Sequence, residues 1–158
     1  MLSTRNQQGR VKPQMRQSAK ALLTAADRVL LVKERHGDGS EFWTLPGGGV
    51  ERGESLTEAL SRELFEELRC PVDIGRRVRT LWYAHVSSSL RVSRWQVYRC
   101  WTPGKPTPAH DDGILDSRWV RWTDLPSNTL TQVRYLLQRC DSGPIFLGSH
   151  AVGRSHRR

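Results

Sequence analysis

Three glutamates lie close together in the segment GGGVERGESLTEALSRELFEELRC, where Glu63, Glu66 and Glu67 follow three consecutive glycines. Carboxylate oxygens are the ligands that hard cations such as Mg²⁺ and Mn²⁺ prefer. A glycine turn lets backbone groups approach a cation or a phosphate closely, because no Cβ intervenes. The combination indicates a metal-assisted phosphate site. The spacing alone leaves a second interpretation open, in which the glutamates lie on an ordinary solvated acidic helix.

The glutamates are predicted to lie on one amphipathic helix over 54–69. Ser55 and Glu58 have the spacing of a capping box. An apolar stripe recurs at three- and four-residue steps and consists of Leu56, Ala59, Leu60, Leu64 and Leu68. At about 100° per residue, Glu67 lies about 60° from Leu64, Glu63 about 100° and Glu66 about 160°, all on the same side. Like charges so arranged repel, so a bound cation or full solvation must offset them.

Strands are predicted on both sides of this helix, because short apolar or alternating runs are bounded by turn residues. They form a hairpin over 19–32, a short strand in FWTLPGGG, extended stretches at about 78–86 and 90–101, and a strand in ILDSRWVRW. A closing helix is predicted over 130–138. In the stretch 90–101, Trp95 and Val97 should face one way and Tyr98 and Cys100 the other. Irregularly mixed strands and helices indicate an α/β or α+β fold with a mixed sheet.

The composition predicts one compact domain between two basic tails. The chain has 158 residues, a formal net charge of +9 and 37% hydrophobic residues. Residues 1–17 and 141–158 are polar and basic, so we expect tails there and a domain over 18–140. The positive charge favours polyanions such as nucleotides, and nucleic acid binding through the tails is an open expectation.

The cysteines indicate a cytoplasmic protein. Cys70, Cys100 and Cys140 are odd in number and widely separated, so they form neither a CxxC metal site nor a disulfide framework. No run of eighteen apolar residues predicts a membrane span, and the N-terminal segment lacks the apolar region of a secretory signal. Its arginines leave a transit peptide as a less common alternative.

The glutamates belong to a longer pattern that resembles the Nudix box, GX5EX7REUXEEXGU, where U is a bulky aliphatic residue. Gly48, Glu54 and the run Arg62-Glu63-Leu64-X-Glu66-Glu67 match it, and the preceding WTLPGG is similar to the approach to the box in MutT-like members. The resemblance covers roughly residues 18–137. Arg69 and Cys70 depart from it, because they stand where the pattern has glycine and an aliphatic residue. That glycine commonly supplies a left-handed helix end, which costs a residue with a Cβ about 1 kcal/mol.

The resemblance implies a Nudix fold, an α/β/α sandwich with a mixed sheet, and hydrolysis of a pyrophosphate bond in a nucleoside diphosphate linked to another group. It implies Mg²⁺ or Mn²⁺ held by Glu63, Glu66, Glu67 and the carbonyl of Gly48. When bound, such a cation polarises a phosphoryl oxygen and lowers the pKa of a water molecule. Glu66 or Glu67 is expected to orient or deprotonate that water.

Arg62 is expected to pair with Glu54 and fix the junction of loop and helix, and a substrate clamp is the alternative.

Substrate contacts are predicted at Arg35, Trp43, Tyr83 and Asp112. Each has an ordinary structural alternative, since a tryptophan or tyrosine can stack on a base or pack in the core. Trp82, Tyr98, Trp101, His85, Lys33, Asp111 and Asp116 are weaker candidates of the same kinds.

The favoured substrate is a (deoxy)nucleoside triphosphate or a related small nucleotide, taken up by a monomer or homodimer. Dinucleoside polyphosphates, capped RNA and nucleotide sugars are alternatives. ADP-ribose is disfavoured, because no proline occurs between Pro71 and Pro103, where ADP-ribose hydrolases of the family often carry one. Two other classes stay open: a nucleotide- or RNA-binding module without turnover, and an interaction protein that acts through its basic tails.

Overall fold

The computed structural model describes residues 14–84, 91–107, 110 and 113–140. Within these ranges the order of elements is β1 (Gln14–Ala25), β2 (Arg28–Arg35), β3 (Glu41–Thr44), β4 (Gly47–Gly49), α1 (Leu56–Leu68), β5 (Asp73–Ala84), β6 (Arg91–Trp101), β7 (Asp116–Arg121) and α2 (Thr131–Cys140). No helix in this part of the chain combines the length and apolarity needed to cross a membrane.

The described strands form one mixed sheet in which β1 is central. The path of neighbouring strands is β3-β2-β1-β6-β5, with β4 also paired to β1 and β7 to β2. β1 runs parallel to β6 over most of its length, whereas its pairs with β2 and β4 are antiparallel. The pairing with β4 sets Ser18 opposite Gly49 and Lys20 opposite Gly47. β1 therefore pairs with β4, the three glycines here called the glycine turn, on one side and with β6 on the other.

The two helices cover opposite faces of the sheet. α1 contributes Leu60, Leu64 and Leu68 to one buried cluster, and α2 contributes Val133, Leu136 and Leu137 to the other. Neighbouring strand residues divide between the clusters, as the two-residue period of a strand requires. In β6, Trp95 and Val97 belong to the α2 side and Tyr98 and Cys100 to the α1 side. The predicted α/β/α sandwich with a mixed sheet is confirmed, as is the alternation in β6.

α1 begins and ends through local contacts that the sequence encodes. The Ser55 side chain accepts a hydrogen bond from the backbone of Glu58, and the Glu58 side chain accepts one from the backbone of Ser55, so the capping box is present. At the other end Arg69 adopts a left-handed conformation with φ 51° and ψ 33°, and its N–H donates to the Phe65 carbonyl. The Leu68 carbonyl accepts a hydrogen bond from Thr107. Arg69 therefore takes the backbone conformation that the Nudix pattern assigns to glycine.

Several boundaries differ from the sequence-based expectations. β1 begins at Gln14, so the domain boundary predicted after residue 17 lies inside this strand. β5 begins at Asp73 rather than near Val78, because pairing with β6 continues through two register shifts that interrupt its alternation. The predicted strand end over His85 and Val86, and the tails over 1–13 and 141–158, lie outside the described residues.

Candidate active site

The glycine turn lies against both β1 and α1. Gly47 has φ 123°, a conformation that disfavours residues with a side chain, and a Cβ there would overlap the Ala19 carbonyl. Its N–H donates to Oε2 of Glu67 at 2.9 Å, and its carbonyl accepts from Nζ of Lys20 at 2.9 Å. The two peptide groups that flank Gly47 are thus each held by a charged side chain. At Gly48, a Cβ would lie 2.5 Å from Cδ of Glu63.

The three predicted carboxylates differ in burial in the order that the helix geometry predicts. Glu67 is 5% exposed, and the side chains of Glu63 and Glu66 are 18% and 39% exposed. Exposure therefore rises with the angular distance from the buried stripe of α1. Glu67 and Glu63 line the cavity described below, whereas Glu66 is not among its lining residues.

Burial dominates the electrostatics of Glu67 and Glu63. Desolvation raises the pKa of Glu67 to about 8, although the charge of Lys20 and the hydrogen bond from Gly47 act in the opposite direction. Desolvation also raises the pKa of Glu63, with Arg62 opposing it. Both groups thus hold protons more readily than an exposed glutamate, and a nearby cation would favour their ionised forms.

Arg62 ties the glycine turn, the following loop and α1 together. Its Nε donates to Oε1 of Glu54 at 2.6 Å and its Nη2 to Oε2 at 3.0 Å, a bidentate pair. Nη2 also donates to the Gly49 carbonyl at 3.1 Å, and Nη1 lies 3.1 Å from Glu63 and 3.3 Å from Glu66. The hydrogen bonds from Arg62 lower the pKa of Glu54. The pairing of Arg62 with Glu54 that the sequence predicts is present.

The donor set fits a hard divalent cation, although no ready-made cage is present. Within the described ranges, no three His, Cys, Asp or Glu side chains converge as a metal site. Two of the carboxylates, Glu63 and Glu66, instead share Nη1 of Arg62. All candidate ligands are oxygens, as Mg²⁺ and Mn²⁺ prefer, and the Glu63 carboxylate lies directly against Gly48 in space that any Cβ would fill. The assignment of Gly48, Glu63, Glu66 and Glu67 as metal ligands stays a prediction.

A cavity of about 710 Å³ opens beside the glycine turn. One part of its wall comes from β1 and β6, with Arg16, Ser18, Lys20, Arg91, Ser93 and Trp95, and another from the end of β2 and the residues after it, with Glu34, Arg35, His36 and Phe42. The ring of His36 stacks on Phe42 with centroids 3.9 Å apart, and Nδ1 of His36 lies 3.3 Å from the hydroxyl of Tyr83. The cavity thus combines acidic, basic and aromatic groups.

The predicted substrate contacts divide between cavity and core. Tyr83 lines the cavity and packs against Trp95 with centroids 5.3 Å apart. Arg35 lines it too, but its guanidinium forms an ion pair with Glu41 at 3.1 Å, and Lys33 approaches the same carboxylate at 3.4 Å.

Trp43 does not line the cavity. It is buried in the core on the α2 side, and its backbone forms hydrogen bonds with the loop before α2. Its ring packs in the core, and the substrate contact expected at Trp43 stays a prediction. The weaker candidate Asp116 pairs with Arg118 at 3.0 Å. Asp111 and Asp112 lie outside the described residues.

Several residues that line the cavity were not singled out from the sequence. Lys20 is 6% exposed, with Nζ 4.9 Å from the centroid of Trp95 and a hydrogen bond to Gly47. The sequence does contain a signal for Lys20, because this lysine lies within the apolar run AKALL and buried lysines are rare unless paired. His36, Phe42 and Arg16 carried no comparable signal, because their proximity to the glycine turn depends on strand pairing.

Comparison with known proteins places this geometry in a family. A family model described as NUDIX domain matches residues 14–140. The chain is 31% identical over 91 residues to nucleoside triphosphatase NudI of Escherichia coli O139:H28, a match that spans 52% of this chain and 64% of that relative's length.

Solved structures of NUDIX proteins have a similar fold. A MutT NUDIX hydrolase from Burkholderia pseudomallei is 27% identical with a TM-score of 0.63, covering 79% of this chain and 97% of that one. The MutT protein from Methanosarcina mazei Go1 is 19% identical with a TM-score of 0.70, covering 84% and 97%, and supports the fold alone. The chain belongs to the NUDIX domain family.

Proposed function

We propose that this protein is a divalent-metal-dependent hydrolase that cleaves a pyrophosphate bond in a nucleoside triphosphate or a related small nucleotide. The observation that carries the proposal is the juxtaposition at the glycine turn. The buried carboxylate of Glu67 and the partly buried carboxylate of Glu63 contact consecutive glycines at the wall of a cavity large enough for a nucleotide. Membership of the NUDIX family supports the same reaction class.

In this proposal, Glu63, Glu66, Glu67 and the Gly48 carbonyl hold Mg²⁺ or Mn²⁺. The bound cation supplies Lewis acidity at a phosphoryl oxygen and a water of lowered pKa. Glu66, the most exposed of the three acids, orients or deprotonates the attacking water, with Glu67 as the alternative base. Arg62 positions the acids, because its bidentate bond to Glu54 anchors a guanidinium that also contacts Glu63, Glu66 and the glycine turn.

The substrate assignment is supported by the contents of the cavity. Stacked His36 and Phe42, with the Tyr83 hydroxyl beside them, offer aromatic surface and polar atoms to a base. Lys20, Arg16 and Arg91 offer positive charge to phosphates. The relative from Escherichia coli is named a nucleoside triphosphatase, which favours a triphosphate. Dinucleoside polyphosphates, capped RNA and nucleotide sugars are the alternative substrates, and we propose a cytoplasmic location.

The test is phosphate or pyrophosphate release from a nucleotide panel with Mg²⁺, with identification of both products. We expect wild type to hydrolyse at least one nucleoside triphosphate and Glu66→Gln to lose about two orders of magnitude or more in kcat, since general-base catalysis contributes about 10²–10⁴-fold. Asp124→Asn is the matched control, because it removes one carboxylate charge outside the cavity and should leave kcat unchanged. Equal activity in wild type and Glu66→Gln would contradict the role of Glu66.

A nucleotide-binding domain without turnover is the second candidate. The observation that favours it is the bridge of Arg62 between Glu63 and Glu66, which occupies two of the proposed metal ligands. This candidate predicts that nucleotides bind with or without Mg²⁺ and that no panel member releases phosphate. Metal-dependent product formation that is lost in Glu66→Gln would exclude it.

A further inference from the structure

We propose that Arg16 and Arg91 form an anion subsite at the outer end of the cavity, which binds phosphate groups beyond the two that share the cleaved bond. The inference rests on the proposed function and narrows its substrate class to nucleotides with a phosphate chain of three or more members. It starts from a row of side chains on two adjacent strands, here named the cationic strip: Arg16, Ser18 and Lys20 of β1 with Arg91 and Ser93 of β6.

Strand pairing places the members of the cationic strip on one face. β1 and β6 are parallel, with Arg16 opposite Ser93 and Gln14 opposite Arg91. Alternate residues of a strand share a face, so the side chains of Arg16, Ser18 and Lys20 follow one another along the wall of the cavity. Arg91 and Ser93 form the neighbouring row.

The cationic strip runs from a buried end to an exposed end. Lys20 and Ser18 are buried, whereas Arg16 and Arg91 are exposed. Lys20 contacts the glycine turn through the Gly47 carbonyl, where the proposed reaction takes place. The guanidinium of Arg16 lies over Gly49, two residues along β4 from the Gly47 that Lys20 contacts, which is about 7 Å of strand at about 3.3 Å per residue. A phosphate group bound by Arg16 is therefore distinct from one held beside Lys20, and both can belong to one phosphate chain.

The guanidinium of Arg16 lies against the glycine turn. Its guanidinium lies over Gly49 so closely that a Cβ at that position would overlap Nη2, Nε and Cζ. The pairing of Ser18 with Gly49 brings the two together. The guanidinium therefore lies at the edge of the glycine turn, beside the wall of the cavity that Arg16 lines.

The two arginines also lack carboxylate partners. Among the residues the structure describes, neither Arg16 nor Arg91 forms an ion pair or a side-chain hydrogen bond. Arg35 and Arg62, which line or border the same region, are by contrast paired with Glu41 and Glu54. Unpaired cations on adjacent strands repel one another, and a polyanion bound between them removes that repulsion through charge-assisted hydrogen bonds. The charges of Arg35 and Arg62 are instead compensated by Glu41 and Glu54.

The charge pattern distinguishes between substrate classes. A nucleoside diphosphate joined to a sugar presents a neutral group beyond its two phosphates, which gains nothing from two guanidinium groups. A third or fourth phosphate presents an anion that each guanidinium can bind through two N–H donors. Arg16 and Arg91 are therefore specificity-determining residues for long phosphate chains.

Binding can be tested without catalysis. We would measure the rise in Tm that inorganic tripolyphosphate and pyrophosphate produce in EDTA, for wild type, Arg16→Gln, Arg91→Gln and the double variant. Tripolyphosphate should raise the Tm of wild type more than pyrophosphate does, and the double variant should lose this difference. Arg76→Gln is the matched control, because Arg76 is exposed on β5 and does not line the cavity, and it should keep the difference. Equal effects of the two anions on wild type would overturn the proposal.

Kinetics give the second test. Each single variant should raise KM for a nucleoside triphosphate about tenfold, the loss expected for one charge-assisted hydrogen bond, with kcat within about threefold of wild type. KM for a nucleotide sugar should be unchanged. A similar rise in KM for both substrates, or for neither, would overturn the proposal.

The same variants identify the source of the long phosphate chain. Three substrates would be compared: a nucleoside triphosphate, a dinucleoside tetraphosphate and a 5′-triphosphorylated oligonucleotide. The physiological substrate class is the one with the highest kcat/KM in wild type and the largest loss of kcat/KM in the double variant. No loss in any arm would overturn the subsite.

The failures of the subsite and of the proposed function are distinguishable. If wild type hydrolyses nothing but keeps its preference for tripolyphosphate, and the double variant loses that preference, the subsite stands and the hydrolase assignment fails. If Glu66→Gln abolishes hydrolysis while Arg16→Gln and Arg91→Gln change neither binding nor KM, the hydrolase stands and the subsite fails.

Discussion

Replacement of Arg69 tests whether the end of α1 is strained. Arg69 occupies the left-handed region with φ 51°, which costs a residue with a Cβ about 1–2 kcal/mol relative to glycine. Glycine also gains conformational freedom in the unfolded chain, which offsets about 0.4–1 kcal/mol of that benefit. We therefore expect Arg69→Gly to raise the free energy of unfolding by about 0.5–1 kcal/mol and the Tm by about 2–5 °C.

Two further variants separate backbone strain from loss of the guanidinium. Arg69→Ala removes the side-chain contacts of arginine but keeps the Cβ, so it should be less stable than Arg69→Gly. Arg69→Asn should lie between them, because asparagine tolerates the left-handed region better than alanine does. The measurement is urea denaturation followed by circular dichroism, with equal m-values as the check on two-state behaviour. A glycine variant no more stable than the alanine variant would refute the strain argument.

Three other predictions concern the site. The pKa of Glu67 is raised above its unfolded value to about 8, so the folded state binds the proton more tightly. In EDTA the stability of wild type should therefore fall as pH rises from 5.5 to 8, on the order of 2 kcal/mol. Glu67→Gln, which keeps an oxygen for the Gly47 N–H, should show a flatter urea midpoint over that range; parallel profiles would contradict the shift.

Arg62→Lys should lower kcat at least tenfold, because an ammonium group cannot reproduce the bidentate bond to Glu54; unchanged steady-state kinetics would argue against positioning by Arg62. Gly48→Ala should displace the Glu63 carboxylate, since the new Cβ would lie 2.5 Å from its Cδ, and so weaken Mn²⁺ binding measured by calorimetry. Wild-type affinity in that variant would remove Glu63 from the proposed ligand set.

Features that depend on local sequence were predictable. The capping box at Ser55 and Glu58, the buried stripe of α1 and the graded burial of its glutamates follow from a helical period and from short-range hydrogen bonds. The pair of Arg62 with Glu54 also spans only a loop and two helical turns. Such features need no knowledge of which strand lies beside which.

Features that depend on strand pairing were not predictable. Arg16 comes before the domain boundary expected from composition, yet it lies over Gly49 because β1 pairs with β4. Trp43 is of a type that can stack on a base, but β3 pairs with β2 and bridges to Thr129, and the Trp43 ring packs in the core on the α2 side. The early start of β5 depends on two register shifts against β6, which no periodicity in the sequence reveals.

The parallel pairing of β1 with β6 has a consequence for how the protein is made. Gln14 and Leu23 find their partners at Arg91 and Cys100, so the edge of β1 that faces β6 stays unpaired until residues 91–100 have left the ribosome. Contacts so distant along the chain require loop closure before they yield any stabilisation, which slows folding. Until then β1 exposes apolar residues and unpaired backbone groups, and this nascent edge is where aggregation during synthesis should begin.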